Sequence, residues 1–201
     1  AMVIVLTLTS ILFISGVKLT FFVKIGIMGI LGIIGLIAVA PYRMLRIVSF
    51  LNPWDYAQDE GWQIIQSLYA IGSGGLFGVG LGNSKQKYLY ISEPHNDFIF
   101  AVLAEELGFI GCVAVIVLFG IFIWRGILIA MKAPDMFGSL LATGITSLIG
   151  IQAIINIAVV TSSIPVTGMA LPFFSYGGTS LIILLCAVGV LLNISRQSQK
   201  I

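Results

Sequence analysis

The chain has 201 residues, of which 59% are hydrophobic and only 9% charged, with a mean hydropathy of +1.12. A water-soluble domain carries roughly a quarter charged residues, so this composition excludes one and makes lipid the solvent. The formal net charge of +2 says little, because the charges prove to be segregated by side.

A bilayer-spanning helix needs about 20 apolar residues. Five segments qualify as candidates: 2–16, 19–40, 98–124, 137–160 and 179–194. The first and last are short, and the first starts at Ala1 without an initiator Met. The expectation is the C-terminal part of a longer protein. Segment 2–16 has neither the charged leading region nor the cleavage motif of a signal peptide.

Between the second and third spans lies a connector at 41–97, far longer than an ordinary helix-to-helix loop. Phe50, Trp54, Trp62, Tyr69, Phe77, Tyr88 and Tyr90 punctuate it, which argues against disorder. It opens with Pro41 and turns at Asn52-Pro53-Trp54. An amphipathic helix is predicted over 60–71, with Trp62, Ile65, Leu68 and Tyr69 on one face at headgroup level. The glycine-rich run 72–82 follows. A phosphate-cradling loop fails here, because no strand precedes it and Lys85 is off the required spacing. Tight packing or sharp turning against neighbours is the expectation.

The third span begins near Asn96 or Asp97, either of which could cap it. Along it Asp97, Ala101, Ala104, Glu105, Gly108 and Cys112 form a small, polar stripe that should face the bundle interior or a wet cavity. Asp97 at the mouth reads equally as a helix cap or as a general base on a cavity rim. In the fourth span, Gln152 and Asn156 share a face and suit interhelical hydrogen bonding. The neutral connector 161–178 is rich in Pro and Gly. It is either a re-entrant wall of a substrate cavity or a compact turn. Cys112 and Cys186 fall inside spans and imply neither a disulfide nor a metal site.

Orientation follows from the bases. Lys18, Lys24, Arg125, Lys132, Arg196 and Lys200 share one side with a single acid, Asp135. Arg43, Arg46, Lys85 and Lys87 share the other with the remaining seven acids. The positive-inside rule then makes the C-terminus cytoplasmic and turns the 41–97 loop outward. The fold class is an all-α integral membrane protein, a polytopic bundle of about five spans with a large extracytoplasmic loop. Basic groups around Asp97 on the outer side (Arg43, Arg46, Lys85, Lys87 and His95) suit an anionic ligand such as a phosphate. Interfacial snorkelling explains any single one of them equally well.

Six collinear stretches carry a resemblance over essentially the whole chain. They are Pro41-Tyr-Arg-Met-Leu-Arg-Ile, Asn52-Pro-Trp, Gly61-Trp-Gln-Ile-Ile-Gln-Ser-Leu, Gly74-Gly-Leu-Phe-Gly-Val-Gly-Leu-Gly-Asn-Ser-Lys-Gln-Lys, the segment from Glu93-Pro-His-Asn-Asp-Phe to Glu105-Glu-Leu-Gly, and Pro165-Val-Thr-Gly-Met-Ala-Leu-Pro-Phe-Phe-Ser-Tyr-Gly-Gly-Thr-Ser. Together they resemble the FtsW/RodA/SpoVE (SEDS) family of bacterial cell-wall synthesis, closest to its division and sporulation branch.

The resemblance implies ten spans, of which these would be the sixth to tenth, so that 1–201 is the C-terminal part of one membrane domain. It further implies a peptidoglycan glycosyltransferase that polymerises lipid II on the outer face of the bacterial cytoplasmic membrane. Its partners would be a class B penicillin-binding protein and other divisome or sporulation membrane proteins, with no nucleic acid. Asp97 falls on the family's catalytic aspartate. Arg43, Gln66, Lys85, Lys87, Glu93, His95 and Ser175 are the substrate-binding candidates, with a divalent cation (Mg or Mn) as a candidate helper whose ligands are unassigned. Ile91-Ser92 and Ser162-Ser163 depart from the usual pattern, the second where Gly and an aliphatic residue are common. A lipid II flippase and a non-catalytic scaffold for a penicillin-binding protein are the competing activities. Charges that cluster at the outer end and reach inward only to Glu105 and Glu106 favour chemistry on the outer face.

Overall fold

The computed structural model describes residues 2–39, 41–58, 61–86 and 96–198, and for 33, 34, 36–39, 41–43 and 198 the backbone alone. Every regular element among them is helical. In chain order these are α1 (Met2–Ile14), α2 (Leu19–Val39), α3 (Pro41–Leu51), a 3₁₀ turn (Pro53–Tyr56), α4 (Trp62–Gly74), α5 (Ile99–Met131), α6 (Met136–Val160) and α7 (Gly178–Ser198).

Each of the five expected spans coincides with a helix. Among the described residues, three stretches, Ile99–Met131, Met136–Val160 and Gly178–Gln197, are long and apolar enough to cross a membrane. Helix α1, at 13 residues, rises only about 20 Å. Much of the apolar surface of α1, α2, α5 and α7 faces outward, as lipid-facing helices require.

Helix α6 is the centre of the bundle and buries Ala142, Ile149, Ala153 and Val160. Small residues let its neighbours approach. A Cβ on Gly126 of α5 would collide with the Thr146 side chain, and one on Gly150 with Ile123. Such small-residue contacts substitute for a hydrophobic driving force that lipid does not provide.

The expected third span, 98–124, is corrected in two respects. The helix continues past Arg125 to Met131, since a long basic side chain near a helix end does not oblige the backbone to stop. It also breaks at Gly108, where φ is +67°. A break inside a bilayer strands backbone groups that water cannot satisfy. The glycine-rich run answers them. The N–H groups of Val79 and Gly80 donate to the carbonyls of Glu105 and Glu106 at 2.9 and 3.1 Å. In return the N–H groups of Phe109 and Ile110 donate to the carbonyls of Gly75 and Leu76. A Cβ on Gly108 would fall 2.3 Å from the backbone nitrogen of Gly78, so close approach, as expected of this run, is its physical role.

The outer connector holds two further corrections. Its first stretch is helical, as α3, where only an opening at Pro41 was expected. The amphipathic helix exists as α4, but its buried face is Ile64, Ile65, Gln66, Ser67 and Ala70. Trp62, Leu68 and Tyr69, grouped with Ile65 by periodicity, face outward. Ile64 and Ile65 share the inner face with the small or polar Gln66, Ser67 and Ala70, which let α4 lie close against α5 and α6. The Ser67 hydroxyl donates to the Val160 carbonyl at 3.1 Å, and a Cβ on Gly74 would fall 2.0 Å from the Ala104 carbonyl oxygen. Outside, Tyr69 meets Trp54 edge to face.

Candidate active site around Asp97

Asp97 lies in the turn that leads into α5, and its residue is half-buried. The capping expectation is not met. The helix starts at Ile99 with Phe98 at its N-cap, and no side chain caps it. Phe98 is 1% exposed and anchors the turn in the core.

Two neighbours fix the backbone at this point. The Asn156 amide of α6 donates to the Asp97 carbonyl at 2.7 Å and to the Met169 carbonyl at 2.5 Å. Asn156 is 1% exposed, so these bonds are shielded from water. Its Oδ1 is buried without a hydrogen-bond partner. From the other side, the Ser175 hydroxyl donates to the Asn96 carbonyl at 2.6 Å and accepts from the Leu171 N–H at 2.6 Å. Gln152 completes the arrangement by donating to the Ala170 carbonyl at 3.1 Å.

The neutral connector 161–178 is therefore folded into the bundle. Leu171 and Pro172 are fully buried, and Phe173 and Phe174 contact Phe122 and Phe119 of α5. Its non-helical backbone is thus packed in protein, as an apolar connector near a membrane requires. At its turn, Gly168 has φ +64°, and a Cβ there would lie 3.4 Å from Asp97 Oδ2. The carboxylate thus sits against a residue that has no side chain. A glycine at this point leaves room beside the acid.

Two turns along α5, Glu105 is 2% exposed and holds the 84–86 loop. It accepts from the Ser84 hydroxyl at 2.5 Å, the Lys85 N–H at 3.0 Å and the Gln86 N–H at 3.3 Å. Glu106 accepts from the Ser84 N–H at 3.4 Å. Lys85 is exposed on this fixed loop.

Of the substrate-binding candidates, Ser175 is brought to the Asp97 turn, Lys85 is held by Glu105, and Gln66 is buried on the inner face of α4. The Arg43 side chain and all of Lys87, Glu93 and His95 lie outside the described residues. Sequence reasoning did not assign Asn156, Gln152, Gly168 or Glu105 to the site. The signal was present, since polar residues inside apolar spans need partners, but the partners are backbone carbonyls and N–H groups with no sequence signature. Among the described residues no group of three His, Cys, Asp or Glu could hold a metal ion, and Glu93 and His95 lie outside them.

Residues 1–200 match the family described as FtsW/RodA/SpoVE cell cycle protein. The chain is 56% identical over 197 residues to stage V sporulation protein E of Bacillus subtilis, covering 98% of this chain and 54% of that protein. It is 49% identical over 186 residues to a probable peptidoglycan glycosyltransferase FtsW of Geobacter, covering 92% and 51%. Its fold is similar to a chain of a peptidoglycan synthase complex that coordinates polymerization and crosslinking, with a TM-score of 0.75, 26% identity and coverage of 98% and 55%. The rod shape determining protein RodA of Thermus thermophilus matches with a TM-score of 0.50 at 38% identity, covering 66% and 39%. The chain spans about half the length of the curated relatives it matches.

Proposed function

The chain belongs to the FtsW/RodA/SpoVE family, and from that premise we propose that it carries the catalytic carboxylate of a peptidoglycan glycosyltransferase. The observation that carries this is the setting of Asp97. Its turn is held by Asn156 and Ser175, and its carboxylate lies against Gly168.

In the proposed reaction Asp97 accepts the proton of the 4-hydroxyl on the acceptor lipid II. The oxygen forms a bond to the anomeric carbon of the growing strand, and the bond from that carbon to the lipid pyrophosphate breaks. A base must lie within about 3 Å of the hydroxyl, and a fixed backbone supplies that precision. Charge develops on the departing pyrophosphate, and preorganised cations are the physical answer. Lys85, on a loop held by Glu105, is assigned that role together with Arg43 and Lys87. A divalent cation (Mg or Mn) bound to the pyrophosphate would add to that neutralisation, and its ligands are unassigned.

The proposal includes residence in the bacterial cytoplasmic membrane with the Asp97 end outward and the C-terminus cytoplasmic. It also includes pairing with a class B penicillin-binding protein, supported by the likeness to the synthase complex. A flippase would need a polar path through the full membrane depth, whereas the charges of this chain cluster at the outer end and reach inward only to Glu105 and Glu106.

The test uses the full-length protein with its cognate penicillin-binding protein and labelled lipid II. The parent should make glycan strands, and Asp97→Asn should bind lipid II but make none. Equal strand synthesis by both would remove Asp97 from the chemistry. Transfer of lipid II between leaflets by a parent that makes no strands would establish the transporter instead.

A further inference from the structure

At the opposite end of the bundle, α5 and α7 enclose a furrow of about 490 Å³. Phe122, Gly126 and Ile129 form one apolar wall, and Val188, Leu191 and Leu192 form the other. Arg125, Lys132 and Ser195 supply its polar groups. From residue 122 to 132 the furrow runs ten residues of helix, about 15 Å. That is half of the roughly 30 Å hydrocarbon core, the depth of one leaflet.

Charge makes this furrow specific. Arg125 lies two turns inward of Lys132, where a basic side chain either snorkels to the head-group level or meets an anion. The described residues supply no anion there. Neither α6 nor α7 contains an acid, and the one carboxylate on this side, Asp135, caps α6 by accepting from the Gly138 N–H at 3.3 Å. Basic pockets between transmembrane helices on the cytoplasmic side are suited to anionic lipid head groups. An acyl chain fits the apolar walls, and Leu192 at their edge is 62% exposed.

We infer that the furrow between α5 and α7 binds an anionic phospholipid of the cytoplasmic leaflet. Its phosphate lies between Arg125 and Lys132, and one acyl chain lies along Leu191 and Leu192. The site is remote in sequence and in the bundle from Asp97 and shares only the proposed orientation with the reaction above. Its failure would leave that reaction untouched.

The experiment is native mass spectrometry of the full-length protein titrated with phosphatidylglycerol or with phosphatidylcholine of the same acyl chains. The parent should hold one phosphatidylglycerol about thirty-fold more tightly than phosphatidylcholine, the combined effect expected of two basic groups. Arg125→Gln/Lys132→Gln should lose that preference, and Leu192→Trp, which fills the furrow, should lose the bound lipid while keeping both cations. If the double variant does not fold, Lys132→Gln, on an exposed helix end, gives the reading alone. Equal affinity for the two lipids, or a preference that survives removal of the bases, overturns the inference. So does undiminished binding to Leu192→Trp, which would reduce the effect to open surface attraction. Cross-linking of Leu192→Cys to another protein helix would show the furrow filled by protein, and would overturn it as well.

Discussion

The Asn156 side chain donates to the Asp97 backbone carbonyl at 2.7 Å and to the Met169 carbonyl at 2.5 Å. One amide on α6 therefore ties the Asp97 turn to the 161–178 connector. Both bonds use N–H donors, so the amide is not exchangeable for a carboxylate. Asn156→Leu should cost about 1–3 kcal/mol, since two buried carbonyls lose their donors. Asn156→Asp should cost at least as much, because it sets a third acceptor against two. Thermal unfolding in detergent checks stability. Strand synthesis below the melting range should fall at least tenfold in both variants, as expected when a catalytic group loses its positioning.

Gly168 tests the room beside the acid. A side chain at φ +64° is strained by roughly 1–2 kcal/mol, and its Cβ would lie 3.4 Å from Asp97 Oδ2. Gly168→Ala should lower polymerisation by more than that stability loss accounts for. Gly16→Ala is the control, because it has a comparable φ of +83° but open space around the Cβ. It should cost similar stability and leave turnover per folded molecule unchanged.

Glu105 is expected to act on turnover through the loop it holds. Its carboxylate takes three donors from the 84–86 loop. A glutamine turns an N–H₂ toward at least one of them, which costs about 1–3 kcal/mol locally. If Lys85 meets the charge that develops on the departing pyrophosphate, Glu105→Gln should lower kcat several-fold with a smaller change in the KM for lipid II. A raised KM with unchanged kcat would detach Lys85 from the leaving group.

Ser162 offers a stabilising change. It has φ +53° just past the end of α6, where the Ser163 N–H bonds to the Ala158 carbonyl and the Ser162 N–H to that of Val159. This pair of bonds is the helix-ending motif that favours glycine at the left-handed position. Ser162→Gly should stabilise the protein by up to about 1 kcal/mol, seen as a rise in melting temperature with unchanged strand synthesis.

Apolar runs and basic residues were enough to locate every long helix, because length and hydropathy are local properties. The stripe on α5 was likewise legible, and Ala101, Ala104, Glu105 and Gly108 are buried as its spacing required. Legibility stopped where backbone met backbone. Gly108 stood among many glycines, and nothing nearby said that it would break α5, because the groups that make the break tolerable come from 75–80. The face of α4 misled for a related reason. Periodicity grouped Trp62 and Tyr69 with Ile65, but in lipid the large aromatic residues have no need of the interior, and close helix contact selects Ser67 and Ala70 instead. Asp97 was identified through the family motif, while its setting rests on carbonyls that any residue could offer.

The break at Gly108 has a mechanical consequence. Outer α5 and the glycine-rich segment are cross-linked by four backbone bonds around the break and again through Glu105. Separating the Asp97 end of α5 from the 84–86 loop would mean breaking several of these bonds together, whereas the 161–178 connector is tied down by single side-chain bonds from Gln152, Asn156 and its own Ser175.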